Sequence, residues 1–180
     1  MNLAICCSSS NNIPETYFDS AEKLFDDLFK RKNNLVFGAM NSGIMGVAYK
    51  KSKRYGRKVI WILPKRYKAD LNELECDEVM ITQCVNQRTN LLVEHADCLI
   101  VLPGGMATLY ELLSFIEMKR CHEFDKPIIV YNETGYFDEF FDFLDKKIFG
   151  EKFTGKIAVT KKFKIAKNPN EVIEIIKDEC

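Results

Sequence analysis

The sequence predicts an α/β fold of the Rossmann-like kind, a parallel sheet with helices on both faces, with residues 1–180 forming a single domain. Three observations carry that expectation. Short apolar runs of strand length alternate with longer stretches whose apolar residues recur at helical spacing. Several runs are apolar at consecutive positions, as in Cys98-Leu99-Ile100-Val101-Leu102, which suits strands buried on both faces. Clusters of Gly, Ser and Asn follow three of the runs, where turns at the carboxyl ends of strands would lie.

Taken in order, Leu3–Cys7 reads as the first strand. Pro14 opens a helix to about Arg31, with Ala21, Leu24, Phe25, Leu28 and Phe29 on one face. Leu35–Phe37 is a short second strand, followed by a loop holding Gly38, Gly43 and Gly46 and a helix to about Tyr55. Lys58–Leu63 is a third strand stopped by Pro64, and Lys65–Glu75 is polar and reads as loop. Glu78–Ile81 is a strand, Asn86–His95 a helix and Cys98–Leu102 a strand running into Pro103-Gly104-Gly105. Thr108–Arg120 is a helix, Pro127–Tyr131 a buried strand, Tyr136–Ile148 a helix and Glu171–Lys177 a closing helix. No internal repeat or interdomain linker interrupts the series.

Composition narrows the function. At 180 residues and 47% hydrophobic the chain can bury one sizeable core. Twenty-six basic and 26 acidic residues cancel, so no electrostatic footprint of a nucleic-acid binder exists. Lys161, Lys162 and Lys164 form only a short basic run, read as a solvated edge or loop. The seven cysteines include no C-x-x-C spacing and suit a reducing cytosol better than a disulfide framework. His95 and His122 form no paired-ligand spacing with a cysteine, so no metal site is expected. No secretory signal or membrane-spanning run is visible, and the expectation is a cytoplasmic protein without a membrane partner.

In a sheet of this kind ligands bind beyond the carboxyl ends of the strands, where strand order reverses. Three loops qualify. In Pro103-Gly104-Gly105-Met106-Ala107-Thr108, glycines admit close approach of the backbone, and the amides of the following helix face the same point. A phosphate fits there, with Thr108 as a further donor; an ordinary turn with Thr108 as N-cap fits the same residues. In Gly38–Gly46 the spacing matches neither G-x-G-x-x-G nor a P-loop, so Gly43 could floor a ligand site or pack a helix on a strand. In Ser8-Ser9-Ser10-Asn11-Asn12, the hydroxyls of Ser8 and Ser9 could bind a base, ribose or phosphate, or a serine could cap the helix at Pro14.

Two charged residues complete the constellation. Arg88 stands near a helix N-terminus, where the dipole opposes a cation and an anionic ligand or buried carboxylate would compensate. Glu111 sits one turn into the helix after the double glycine, where it either pairs with that helix end or flanks a bound ligand. Near one anion site they suggest chemistry at a ribose: cleaving an N-glycosidic bond builds positive charge on the sugar, which a carboxylate stabilises while it activates water.

At these residues the sequence resembles the Lonely Guy family of cytokinin-nucleotide phosphoribohydrolases, whose members are often labelled lysine decarboxylase-like. Leu102–Glu111 is similar to the family's P-G-G-x-G-T-x-x-E signature. Cys6–Asn12, Leu35–Gly46 and Asp125–Asp138 are similar to its C-G-S-S, L-V-Y-G-G-G-x-x-G-L-M-G and D-K-P-x-x-x-x-N-x-x-G-Y-Y-D segments. Arg88, nine residues before Asp97, stands where the family has an arginine ahead of its A-D strand. The resemblance implies a Rossmann-like homodimer that hydrolyses a nucleoside 5′-monophosphate, of the AMP or N6-modified AMP type, to free base and ribose 5-phosphate without metal or redox cofactor. It assigns catalysis to Arg88 and Glu111 and phosphate binding to Gly104, Gly105, Ala107 and Thr108; with Ser8, Ser9, Gly43 and Met106 from the candidate loops, these make up the expected substrate-binding residues. The chain departs from the family at Ala39, Met40, Ala107 and Met118 and in Asn86-Gln87-Arg88-Thr89, where the family has H-E-R-K. Those departures keep a second reading open, a non-catalytic nucleotide carrier on the same scaffold. A true decarboxylase would need a Schiff-base lysine beside a phosphate pocket, and no lysine flanks these loops.

Overall fold

The computed structural model describes residues 1–38, 40–67, 75–155 and 162–180. Its strands are β1 (Asn2–Cys6), β2 (Asn34–Phe37), β3 (Val59–Pro64), β4 (Glu78–Thr82), β5 (Cys98–Val101), β6 (Ile128–Tyr131) and β7 (Lys164–Ala166). The helices between them are α1 (Glu15–Lys30), α2 (Gly43–Arg54), α3 (Val85–His95), α4 (Met106–Arg120), α5 (Asp138–Phe143) and α6 (Pro169–Glu179). A π-wound stretch, Leu144–Phe149, follows directly on α5.

The seven strands form one parallel sheet in the order β4-β3-β2-β1-β5-β6-β7. Side chains alternate across it, so consecutive apolar residues serve two cores. Leu3, Ile5, Leu35, Phe37, Trp61 and Ile100 pack beneath α1, α2 and α6. Ala4, Cys6, Val36, Ile60, Leu99 and Val101 pack beneath α3, α4 and α5. That division explains why strands flanked on both faces read as unbroken hydrophobic runs.

The chain lays β1 to β4 outward on one side, then crosses back to place β5 against the other side of β1. The loops after β1 and β5 therefore part in opposite directions and leave a crevice at their common end. Backbone bonds hold its base together: Leu102 N donates to Cys6 O at 2.9 Å, and Ser8 N donates to Pro103 O at 3.0 Å.

The expected elements appear with ends moved by a residue or two, with three physical corrections. No serine caps α1: Pro14 occupies the cap position without a side-chain bond, and the Ser8 and Ser10 hydroxyls accept the Ser10 and Asn12 amides within the loop. The helix expected from Tyr136 starts at Asp138, because Asn132 Oδ1 accepts the Phe137 amide and Gly135 turns at φ +73°. Lys164–Ala166, for which the sequence predicts no strand, form β7 at the sheet edge, in keeping with the solvated-edge reading of Lys164, and the Lys164 Nζ pairs with Glu179. Lys161, Ala39 and most of the polar stretch Lys65–Glu75 (68–74) lie outside the described residues. Among the described residues no helix is long and apolar enough to cross a membrane.

Candidate active site

β5 delivers the chain to Pro103-Gly104-Gly105, and α4 begins at Met106 with Gly105 at its cap position and no side-chain cap bond. Helix geometry leaves the amides of Met106, Ala107 and Thr108 without acceptors inside the helix, at its electropositive end. The two glycines differ in what they permit. A methyl group on Gly104 would overlap the Thr108 hydroxyl and come within 3.0 Å of the Cys7 carbonyl carbon. One on Gly105 would meet no protein atom within 4 Å. Gly104 is thus demanded by packing, whereas the space beside Gly105 is open to a ligand.

The carboxylate and the guanidinium arrive from two helices. Glu111 projects inward one turn along α4 and is only 4% exposed. Arg88, in the first turn of α3, reaches across so that its Nη2 donates to Glu111 Oε1. The neighbouring strand permits this passage: a Cβ on Gly38 would lie 3.2 Å from Arg88 Nη1. Burial pulls the Arg88 pKa below its ordinary value, although a guanidinium stays charged at neutral pH. Its Nε is buried without a hydrogen-bond partner among the described residues.

The pair opens on a cavity of about 150 Å³ at the mouth of β1, β2 and β5. Ser9, Ala107 and Thr108 line it with Arg88 and Glu111, and Gly38, Met40, Met45 and Tyr67 enclose it. Cys6 and Cys7 also reach its wall, but burial pushes the Cys6 thiol up to about 12 and raises Cys7 as well. Both therefore remain thiols at neutral pH, not nucleophilic thiolates. Among the described residues the cavity holds one carboxylate beside one permanent cation, with the Tyr67 phenol in its wall.

Of the expected site residues, Arg88, Glu111, Ser9, Ala107 and Thr108 meet around this cavity. Gly104, Gly105 and Met106 form the turn into α4 and are not among the residues lining the cavity, with Met106 82% exposed. Ser8 lies in the wall of the loop instead, its hydroxyl accepting the Ser10 amide. Gly43 is a packing residue at φ +59°, where a Cβ would lie 2.7 Å from Ser8 O and Ser10 N. Sequence reasoning passed over Gly38, Met40, Met45 and Tyr67 as site residues. Gly38 carried a signal, since a glycine directly after a strand often marks a close approach; two apolar methionines and a tyrosine carried none.

A Rossmann-like sheet with a helix N-terminus, an arginine and a carboxylate gathered at the strand-order reversal defines a class of anion-binding α/β proteins. Comparison with known proteins narrows the class. The model of the family described as "possible lysine decarboxylase" matches residues 45–176. A probable cytokinin riboside 5′-monophosphate phosphoribohydrolase of Arabidopsis thaliana is 34% identical over 148 residues, 82% of this chain and 74% of that protein. A second Arabidopsis thaliana protein, a cytokinin riboside 5′-monophosphate phosphoribohydrolase, is 32% identical over 81% of this chain and 64% of its own length. A probable enzyme of the same name from Oryza sativa is 29% identical over 98% of this chain and 72% of its own length. The chain belongs to this Lonely Guy family. Among solved structures, the molybdenum cofactor binding protein of Rippkaea orientalis superposes with a TM-score of 0.69 at 22% identity, over 98% of this chain and 95% of that one. The Moco carrier protein of Chlamydomonas reinhardtii gives 0.67 at 18% identity, over 98% and 95%. At those identities the likeness is one of fold.

Proposed function

We propose that residues 1–180 act as one nucleotide-binding domain that hydrolyses the N-glycosidic bond of a nucleoside 5′-monophosphate, of the AMP or N6-modified AMP type, to free base and ribose 5-phosphate. The observation that carries this reading is the buried Arg88–Glu111 pair beside the uncapped first turn of α4. The relatives' names, which specify a riboside 5′-monophosphate, support it. The phosphate sits on the amides of Gly105–Thr108, with Ser9 and the Thr108 hydroxyl at the edge of the sugar. Water attacks the anomeric carbon as the bond to the base nitrogen breaks and its electron pair leaves with the base. Glu111 offsets the positive charge developing on the sugar and takes the proton from water, and that proton passes to the departing base. Arg88 orients the carboxylate and the phosphate.

Homodimerisation is part of the proposal, supported by the apolar side chains of Met106, Tyr110 and Leu113, which α4 leaves exposed beside the site. A cytoplasmic location is supported by cysteines that are all free, three of them buried. Light scattering and cell fractionation test these two points.

The deciding experiment is incubation with AMP and chromatography for adenine and ribose 5-phosphate. Equal amounts of both products are expected, with release from Glu111→Gln lowered by a factor of about 10² to 10³. The carrier reading has its own observation: Ala107 puts a methyl group into the cavity wall, and the Thr89 hydroxyl bonds back to Val85 O at 3.1 Å instead of facing a substrate. Tight AMP binding without adenine release would favour it.

A further inference from the structure

We propose that Tyr136 is a positioning residue that aims the phosphate-binding amides and thereby makes the site prefer a 5′-phosphorylated nucleoside to the bare nucleoside. The inference rests on reading Gly104–Thr108 as the phosphate seat. Tyr136 Oη donates to Gly104 O at 2.6 Å. In a trans peptide the carbonyl and the next amide point in opposite directions. Fixing Gly104 O toward Tyr136 therefore turns the Gly105 N–H the other way. A peptide between two glycines is free to flip, since neither residue carries a Cβ to oppose it. The flipped form would present a carbonyl oxygen where an anion is to bind.

The tyrosine is itself held. Its ring meets Tyr17 edge-on at 5.7 Å and Phe137 at 4.9 Å. Behind it, Asn132 accepts the Phe137 amide at 2.9 Å and donates to Asp138 Oδ1 at 2.7 Å. The loop after β6 thus acts on the loop after β5 through one hydroxyl. With 40% of the residue exposed, removing that hydroxyl leaves the core intact.

The test compares the full chain with Tyr136→Phe, which keeps the ring. KM for AMP is expected to rise about tenfold with kcat changed less than threefold, while kcat/KM for adenosine is unchanged. The affinity for inorganic phosphate, read by calorimetry, falls by a similar factor, and the Gly105 amide resonance shifts. Should Tyr136→Phe fail to fold, Tyr17→Leu loosens the ring while keeping the hydroxyl and moves the same ratios by a smaller factor. An unchanged KM and phosphate affinity, or an equal rise for adenosine, overturns the proposal, as does a loss confined to kcat. Wild-type protein that binds phosphate but releases no adenine defeats the hydrolase reading and leaves the phosphate arm to decide this one. Wild-type protein that binds neither ligand defeats both.

Discussion

Replacing Glu111 with Gln keeps the shape of the side chain and removes one charge from a pair whose side chains are 6% and 15% exposed. Breaking a buried pair by deleting one partner destabilises by about 3–5 kcal/mol, because the survivor is left charged and unpaired. Arg88 borders the cavity, where water can reach part of its guanidinium, so the lower end of that range, about 3 kcal/mol, is the expected loss. At about 2–4 °C per kcal/mol for a chain of this size, the melting temperature falls by roughly 6–12 °C. Arg88→Met alone also destabilises, while the double variant recovers much of either loss, since it buries no uncompensated charge. The same Gln lowers adenine release by a factor of about 10² to 10³, the usual effect of removing one group that stabilises transition-state charge. Thermal melts of the four proteins and chromatography of AMP digests measure both quantities. A coupling between the two sites below about 0.5 kcal/mol, or a Gln variant within threefold of wild-type rate, would refute the argument.

Other perturbations follow from the same geometry. Gly104→Ala should destabilise, because its methyl group overlaps the Thr108 hydroxyl, whereas Gly105→Ala should melt as wild type and lose phosphate affinity; paired melts and phosphate titrations distinguish them. Iodoacetamide should modify the exposed Cys84, Cys121 and Cys180 while the buried Cys6, Cys7 and Cys98 stay protected, with adenine release retained; peptide mass spectrometry locates the label. Burial raises the pKa of Asp26, but bonds from Lys51 and Tyr55 outweigh it and hold the group below its ordinary value. A depressed carboxylate contributes stability above its unfolded pKa, near 4, and loses it as pH falls through the folded value, so Asp26→Asn should flatten the acid limb of a stability–pH curve.

The middle of the sheet was legible because its strands are buried on both faces: β1, β3 and β5 announce themselves as runs with no polar break. β7 was not, because an edge strand of three residues with two exposed side chains has no pattern to distinguish it from loop. The turn proposed to seat an anion could be picked out from local chemistry, a glycine pair opening a helix. The cavity around it was only half legible. Arg88 and Glu111 lie 23 positions apart, and no periodicity links residues that meet through the packing of α3 against α4. Gly43 and Ser8 show the reverse limit, since a Gly- or Ser-rich loop at the right end of the sheet looks the same whether its residues face a ligand or each other.

The departures from the family pattern gain meaning from where they fall. Asn86 and Gln87 do not face the cavity: Asn86 Oδ1 accepts the Tyr110 hydroxyl at 2.7 Å, and Gln87 Oε1 accepts the Gln83 amide at 2.8 Å. These substitutions tie α3 to α4 and close the turn before α3, leaving the reach of Arg88 to Glu111 intact. Ala107 differs, since it lines the cavity beside the proposed phosphate seat. A change that spares the charged pair and narrows the seat acts on substrate affinity before it acts on the chemical step. Ala107→Gly should therefore lower KM for AMP with little change in kcat. A rise in kcat instead, with KM constant, would place the methyl group against the reacting sugar and show that the seat and the pair are not separable.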